Sequence, residues 1–366
     1  MEPAAPRIVS LLPAATEIVA ALGLADRLVG RSHECDEPAC VATLPALTAP
    51  RIDAAAPSHE IHEQVERALA EAGPAALYAL DADLLARLAP DLVITQAACA
   101  VCAIAADDVR AAVERMDVPA RVLELSPATL ADVFADVLAV GAATGTLARA
   151  REVAARLRAR VASVACRVRA ARQAAARQAE ARQAEARPAA ARQAEACPTD
   201  QGRRPGSAPA DGGRPSDGRQ DAEPSRVAVI EWLDPPMAAG NWVPELVALA
   251  GGTDLLGKPG AHSHWITWDD VIAADPDAVV LTPCGFTLDR VVAEAEAPAI
   301  RNRLAMLRAW REGRVHAVDG HHLFNRPGPR LVDSLEVLAE LLHPGMFSFA
   351  ATKRLAAASA RWPRSP

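Results

Sequence analysis

Short apolar runs alternate with stretches of helical periodicity twice along this chain, once on each side of a single unbroken helical stretch that begins near Thr146. Such alternation calls for a mainly parallel sheet with helices on both faces, because parallel strands need a crossover and the crossover is usually a helix. In the first series, Arg7 to Leu12 reads as a strand, and Pro13 opens a helix that stops at Gly23. Leu28 to Arg31 is a strand, and Glu60 to Glu71 and Asp83 to Leu88 are helices. Strands follow at Asp91 to Thr95 and Arg121 to Leu125, with helices at Asp107 to Met116 and Leu130 to Thr144. The second series begins with a strand at Arg226 to Glu231 and has further strands at Ala278 to Leu281 and Arg314 to Val318. Its helices are expected at Val243 to Ala250, at Trp268 to Ala274, from Leu288, and at Leu331 to Leu342. A length of 366 residues gives room for two such units.

The expected fold class is therefore α/β, with two Rossmann-like lobes joined by one long rigid helix and a ligand cleft between them. The lobes are placed at 7–144 and 226–345, the connecting helix at 145–167, and a C-terminal helix or tail at 346–366. Between them, residues 168–225 are of low complexity. Arg172, Arg177, Arg182, Arg187 and Arg192 recur every five residues, a step of about 500° that spirals around a helix instead of lining one face. The tract reads as a solvated helix extension as far as Pro188, followed by a disordered insertion rich in Gly, Pro, Ser and Asp.

Hydrophobic residues make up 51% of the chain but aromatic ones only 3%, so the cores must be built of Ala, Val and Leu, and each of the six tryptophans becomes informative. A net charge of −7 without a basic face argues against nucleic acid, whose binding rests on neutralising phosphates. No run reaches the roughly 20 apolar residues that span a bilayer. Only Met1 to Pro6 precedes the first strand, which leaves no room for an export signal. A cytoplasmic, monomeric protein is the resulting expectation, or an extracytoplasmic one if the start lies further upstream. No glycine-rich phosphate loop, serine elbow or zinc-protease helix is present, so an enzyme is not expected.

Ser10-Leu-Leu-Pro-Ala-Ala-Thr-Glu17, Leu88-Ala-Pro-Asp-Leu-Val-Ile94 and its counterpart Asp275-Pro-Asp-Ala-Val-Val280 recur in the order and spacing of a known family. With Asp234-Pro-Pro236, Gly251-Gly252 and the Arg326 to Arg330 segment, the chain resembles the iron/vitamin B12 class of solute-binding proteins. That resemblance implies a ligand captured between closing lobes, with a cobalamin-like corrinoid or related metal chelate as ligand and no cofactor required. It also implies an ABC permease as partner, docked through one acid on each lobe. Counting back from the two Pro-Asp units gives Asp83 and Asp269, for which a helix-start role is the competing reading.

For the ligand, the loops Arg31 to Pro38 and Gln96 to Ala103 carry no aromatic residue, whereas vitamin B12 binders place rings there. They offer His33, Glu34, Cys35 and Gln96 instead. The second lobe supplies Trp232, Trp242, Trp265, Phe286 and Phe324 near strand ends, while Trp268 reads as core. The chain has seven cysteines, and Cys35, Cys99, Cys102 and Cys284 all fall in loops at strand ends. A zinc or iron-sulfur site on these four, with His33 or His264 as a substitute, is the alternative function: a cytoplasmic thiolate-metal or redox protein. A thiol or imidazole bound axially to cobalt would reconcile the two readings. His321-His322 is not expected to chelate as a pair, since neighbours in sequence point in different directions whether in a strand or a loop. His59 and His62, three residues apart, read as a solvated helix face.

Overall fold

The computed structural model describes residues 6–73, 76–96, 104–117, 119–195, 224–349 and 359–362. The first lobe contains β1 (Ile8–Ser10), α1 (Pro13–Ala21), β2 (Leu28–Arg31), β3 (Thr48–Pro50), α2 (Ser58–Ala72), β4 (Tyr78–Leu80) and α3 (Ala82–Leu88). It continues with β5 (Leu92–Gln96), α4 (Ala106–Glu114), β6 (Arg121–Leu125) and α5 (Leu130–Ala143). The connector is α6 (Leu147–Glu195). In the second lobe β7 (Ser225–Leu233), β8 (Pro236–Ala238), α7 (Val243–Leu249), β9 (Gly252–Asp254), β10 (His264–Trp265) and α8 (Trp268–Ala274) come first. Then follow β11 (Ala278–Leu281), α9 (Leu288–Glu296), α10 (Pro298–Met306), α11 (Arg308–Arg311), β12 (Val315–Val318), α12 (Leu331–Leu342) and β13 (Ser359–Trp362).

Each lobe is organised by a parallel sheet, ordered β2-β1-β5-β6 in the first and centred on β7-β11-β12 in the second. The second sheet gains antiparallel pieces, with β8 and β10 at one edge and β13 at the other. These pieces of two to four residues are too short for a periodic signal, and β13 lies where a helix or tail was expected. The central strands β7 and β11 are buried on both faces, which is why they read as continuous apolar runs.

The connector is longer than expected and passes through Pro188 to Glu195. Its apolar stripe is short by comparison: Ala150, Val153, Ala154, Leu157, Val164 and Val168 are buried along one face, with the partly buried Val161 between Leu157 and Val164. Val168 is the last buried side chain among the described residues of α6, so burial stops where the low-complexity sequence starts. Through this stripe the lobes share one apolar cluster, which joins Val133, Phe134 and Val137 of α5 to Leu246 of α7 and Leu335 and Leu338 of α12. Residues 196–223, read as the disordered insertion, lie outside the described residues.

A second link crosses the other way. Ala56 and Ile61, from the first lobe in sequence, share an apolar cluster with Trp268, Leu281 and Phe286 of the second. The Glu294 carboxylate accepts from the Ser58 N–H at 2.9 Å and from its hydroxyl at 2.8 Å. The Arg290 guanidinium donates to the carbonyls of Ala54 and Ala56. The segment leading into α2 is thus a strap from one lobe to the other.

Candidate functional site

In a parallel α/β sheet the loops after the strands gather at the carboxyl edge, and here the edges of the two lobes meet. From the first lobe come Ser10 at the end of β1, Thr16 and Glu17 in the first turns of α1, and the loop Ser32 to Asp36 after β2. Pro13 at the helix start and the extended Leu12 before it launch α1 directly off the strand, so Thr16 and Glu17 are buried beside the strand end. The Ser32 N–H donates to the Ser10 carbonyl at 2.9 Å and folds the second loop over the first.

From the second lobe comes the turn after β12. The Asp319 carboxylate caps it, accepting the N–H groups of His321 (3.0 Å) and His322 (2.8 Å). Gly320 lies so close to the neighbouring loop that a Cβ there would sit 2.1 Å from the Pro283 carbonyl oxygen, which reserves the position for glycine. The turn overturns the expectation for His321-His322. Strand alternation does not apply to it, the rings stand edge to face 4.6 Å apart, and both Nε2 atoms reach the same Asp36 oxygen, at 2.8 and 3.1 Å. These three side chains place their ligand atoms within 4.8 Å of one another, a metal-competent grouping found among the described residues.

Beneath them lies a buried ion network. Arg326, 6% exposed, donates to Asp36 Oδ1 at 2.6 Å and to Glu17 Oε1 at 3.4 Å, and Arg330 donates to Glu17 Oε1 at 2.7 Å. Glu17 is 7% exposed, and its Oε2 is buried without a hydrogen-bond partner. Burial alone would raise the Asp36 carboxyl, but hydrogen bonds from His321, His322 and Arg326 outweigh it and hold the group well below the usual carboxylate range. The bonds from His322 to Asp319 and Asp36 push that imidazole up to about 9 against the opposing effect of burial. The first lobe therefore brings acids to the seam and the second brings bases.

The residues expected at the site disperse. His33 is half-buried, its Nδ1 is 2.8 Å from the Thr48 hydroxyl, and burial lowers its basicity. Glu34 lies 3.4 Å from His33 Nε2 and 3.7 Å from His321 Nδ1, so it reaches the seam. Cys35, 1% exposed, accepts from the Thr16 hydroxyl at 3.0 Å, lies 3.4 Å from the Ser32 hydroxyl, and has its thiol pushed up by burial. Cys284 is half-buried in the turn after β11, while Cys99 and Cys102 lie outside the described residues. Only two of the four thiols expected to share a metal are thus among the described residues. Gln96 ends β5, half-buried.

Among the rings, Trp242, Phe286 and Phe324 are buried in the cores, against the expectation of rings facing a ligand. Trp242 Nε1 donates to the Phe324 carbonyl at 2.7 Å, which fixes both, and Phe286 is covered by the Arg290 guanidinium 3.5 Å from its centroid. Trp232 is half-buried, edge-on to Phe286, with a buried and unpartnered Nε1. Trp265 is 52% exposed and stacks edge-on with His62 of the strap at 4.7 Å, so His62 is not simply a solvated residue. Trp268 is core, as read. Asp83 and Asp269 hold equivalent places in the first turns of α3 and α8, where Asp81 and Thr267 are the caps; Asp269 pairs with Arg303 at 3.1 Å.

The sequence reading missed Asp36, Glu17, Arg326 and Arg330 as one constellation. Glu17 and the two arginines did stand inside motifs of the family resemblance, and that was the only signal of them. Nothing local pairs residues about 300 positions apart.

No family model and no curated protein matches the sequence. Solved structures do. A periplasmic heme-binding protein from Pseudomonas aeruginosa superimposes with a TM-score of 0.65 at 18% identity, covering 99% of each chain. The vitamin B12-binding protein BtuF of Vibrio cholerae gives 0.57 at 17% identity, covering 92% of this chain and 96% of its own. The periplasmic heme-binding protein RhuT from Roseiflexus sp. RS-1 gives 0.59 at 20%, covering 94% and 100%. That these neighbours are periplasmic overturns the expectation of a cytoplasmic protein, which rested on the few residues before β1. Among the described residues no helix is long and apolar enough to cross a membrane. The chain has the two-lobed α/β fold of the class III periplasmic binding proteins, the iron/vitamin B12 class that its sequence resembles.

Proposed function

We propose that this chain is the extracytoplasmic solute-binding component of an ABC transporter and takes a corrinoid or related metal chelate between its lobes. The observation that carries the reading is the convergence of both carboxyl sheet edges on one seam, on a fold shared with heme- and vitamin B12-binding proteins. The seam also buries an acceptor without a partner, Glu17 Oε2, which can accept from a ligand donor when the lobes part. Trp232, half-buried, and Trp265, 52% exposed, are the proposed ring contacts of the second lobe, and His33, Glu34 and Gln96 the proposed polar contacts of the first. Recognition is by burial and hydrogen bonding, with no bond made.

Asp83 and Asp269, exposed and equivalent in the two lobes, are the proposed contacts to permease arginines. The test of ligand class is spectroscopic. Protein mixed with cyanocobalamin, cobinamide or hemin and passed through a desalting column should retain one equivalent of a macrocycle with a shifted absorption band. Emergence of all three macrocycles in the free fraction would refute the reading. The docking proposal is tested by Asp83→Arg with Asp269→Arg, which should abolish uptake while leaving macrocycle retention intact.

A further inference from the structure

We propose that Asp36, His321 and His322 form a binding site for a divalent transition-metal ion that bridges the two lobes. The inference stands apart from the corrinoid reading, because it concerns a bare ion and three side chains of the seam.

Three observations carry it. The first is convergence. Asp36 Oδ2 from the first lobe lies 2.8 Å from His321 Nε2 and 3.1 Å from His322 Nε2 of the second. Bonds of about 2.1 Å to a shared ion place ligand atoms about 3.0 to 3.4 Å apart, so the edges need to open by only a few tenths of an ångström.

The second is a conflict of roles. His321 Nε2 is 2.8 Å from the Asp36 oxygen, which requires a proton on that nitrogen, and 2.8 Å from Arg326 Nη2, which requires a lone pair there. One nitrogen cannot do both. An ion that displaces the Nε2 protons to solvent takes the lone pairs of both imidazoles and of the carboxylate at once, and Arg326 keeps its bond to the other Asp36 oxygen at 2.6 Å.

The third is the shell behind the ligands. His322 Nδ1 faces the Asp319 carboxylate at 3.2 Å, so the ring can keep its proton on Nδ1 while the one on Nε2, which faces Asp36, gives way to an ion. His321 Nδ1 has Glu34 Oε2 at 3.7 Å in the corresponding place. Arg326 orients Asp36 in the same manner. A surface cluster of acids lacks such a shell.

Two imidazoles and one carboxylate select zinc, nickel or cobalt(II) over magnesium or calcium, which prefer all-oxygen sets. Three ligands leave coordination positions open, so the ion can be cargo or can bridge to a chelating ligand.

The experiment uses the full chain, without a polyhistidine tag, titrated with Co²⁺ at pH 7.5 and followed by visible absorption and calorimetry. One equivalent should bind with d–d bands typical of nitrogen and oxygen ligands. His321→Asn with His322→Asn should lower the affinity at least 100-fold, and Asp319→Asn, which leaves all three ligands in place, about 10- to 100-fold. Circular dichroism of each variant shows that it is folded. If the wild type binds no Co²⁺, or binds it as tightly as the double histidine variant does, the site does not exist. Macrocycle retention by the wild-type chain is a separate readout: its failure would refute the corrinoid reading and leave the metal site standing.

Discussion

The two lobes use the same device to start their sheets, and they differ in what they add to it. In the first, the Arg7 N–H donates to the Asp91 carboxylate at 2.7 Å while its guanidinium reaches back to the carbonyls of Leu88 and Ala89 at the end of α3. In the second, the Arg226 N–H donates to Asp277 at 2.8 Å, and its guanidinium reaches the carbonyls of Ala274 and Asp275 at the end of α8. Each helix ends in a left-handed residue before proline, Ala89 at φ 41° and Asp275 at φ 42°. The second lobe adds Arg308, which donates to Asp275 and Asp277. At the seam the lobes diverge in what they offer each other: Glu17 and Asp36 of the first face Arg326, Arg330 and the two imidazoles of the second. The repeated parts hold up a sheet, and the parts that differ face the partner lobe.

The largest effect expected comes from unbalancing the seam. Arg326→Ala removes a cation that is 6% exposed and shared by Glu17 and Asp36, leaving Glu17 to Arg330 and Asp36 to its two imidazoles, and should cost about 3 kcal/mol, the low end for breaking a buried pair. Chemical denaturation measures this. Glu17→Gln should cost less in the Arg326→Ala chain than it does alone, because one of the two cations that hold the carboxylate is already gone. If the two losses simply add, the acid-against-base pairing of the lobes is not what holds the seam.

Each lobe also buries one acid without full compensation. Burial, with the nearby Asp132, pushes Asp136 of α5 up to about 7; burial pushes Asp254 of β9 up to about 6 against its bonds from the Gly257 and Leu256 N–H groups. A carboxyl that keeps its proton to higher pH when folded favours the fold below the unfolded value near 4, and that contribution is lost as pH rises through 6 to 7. Asp136→Asn and Asp254→Asn should each flatten the decline of stability between pH 5 and 8, by about 2 kcal/mol at the alkaline end. Thermal melts across that range decide it. A variant with an unchanged slope would show that its lobe pays no such cost.

The clamp itself separates the lobes by a smaller margin. Asp91→Asn removes a charge-assisted bond to one backbone N–H and should cost about 1 kcal/mol. Asp277→Asn removes the same bond and weakens the Arg308 contact at 2.7 Å, so it should cost more, about 2 kcal/mol. Smaller still is the cap. Ala89→Gly should gain about 0.5 to 1 kcal/mol because φ 41° favours glycine, whereas Asp275→Gly should gain less by losing the carboxylate that Arg308 holds.

The clamp shows why the fold was legible and the seam was not. Leu88-Ala-Pro-Asp-Leu and Asp275-Pro-Asp-Ala carry their meaning within a few residues: proline ends the helix, aspartate starts the strand, and the apolar run that follows is buried on both faces. The cores follow from the same local rules. The seam depends on where the turn after β12 sets two imidazoles: Asp319 caps that turn locally, but Gly320 packs it on the loop after β11 and Asp36 meets it from a position remote in sequence. The aromatic residues erred in the opposite direction. Trp242 and Phe324 stand near strand ends as expected, yet a single indole bond to a carbonyl turns both into core.

If the two lobes need only the buried stripe of α6 to stay together, the rest of that excursion is dispensable, and the chain's geometry says where to cut. Ser225, the first residue of β7, pairs with Gly252, and a Cβ on Gly251 would lie 2.7 Å from Val168 and 3.2 Å from Arg172 of α6. The helix therefore passes the start of β7 before it runs on to Glu195. Arg172, Gln173 and Ala176 line a shallow groove with Ala248 and Leu249, so the excision should begin after them. Replacing residues 177–223 with a flexible linker of about eight residues, able to span roughly 15 Å, should leave the melting temperature within about 2 °C of the full chain. Cobalt(II) binding at the seam should be unchanged. A chain that no longer folds after this excision would mean that the lobes are not two self-sufficient units on a common helix, and that the tract beyond Ala176 packs against one of them.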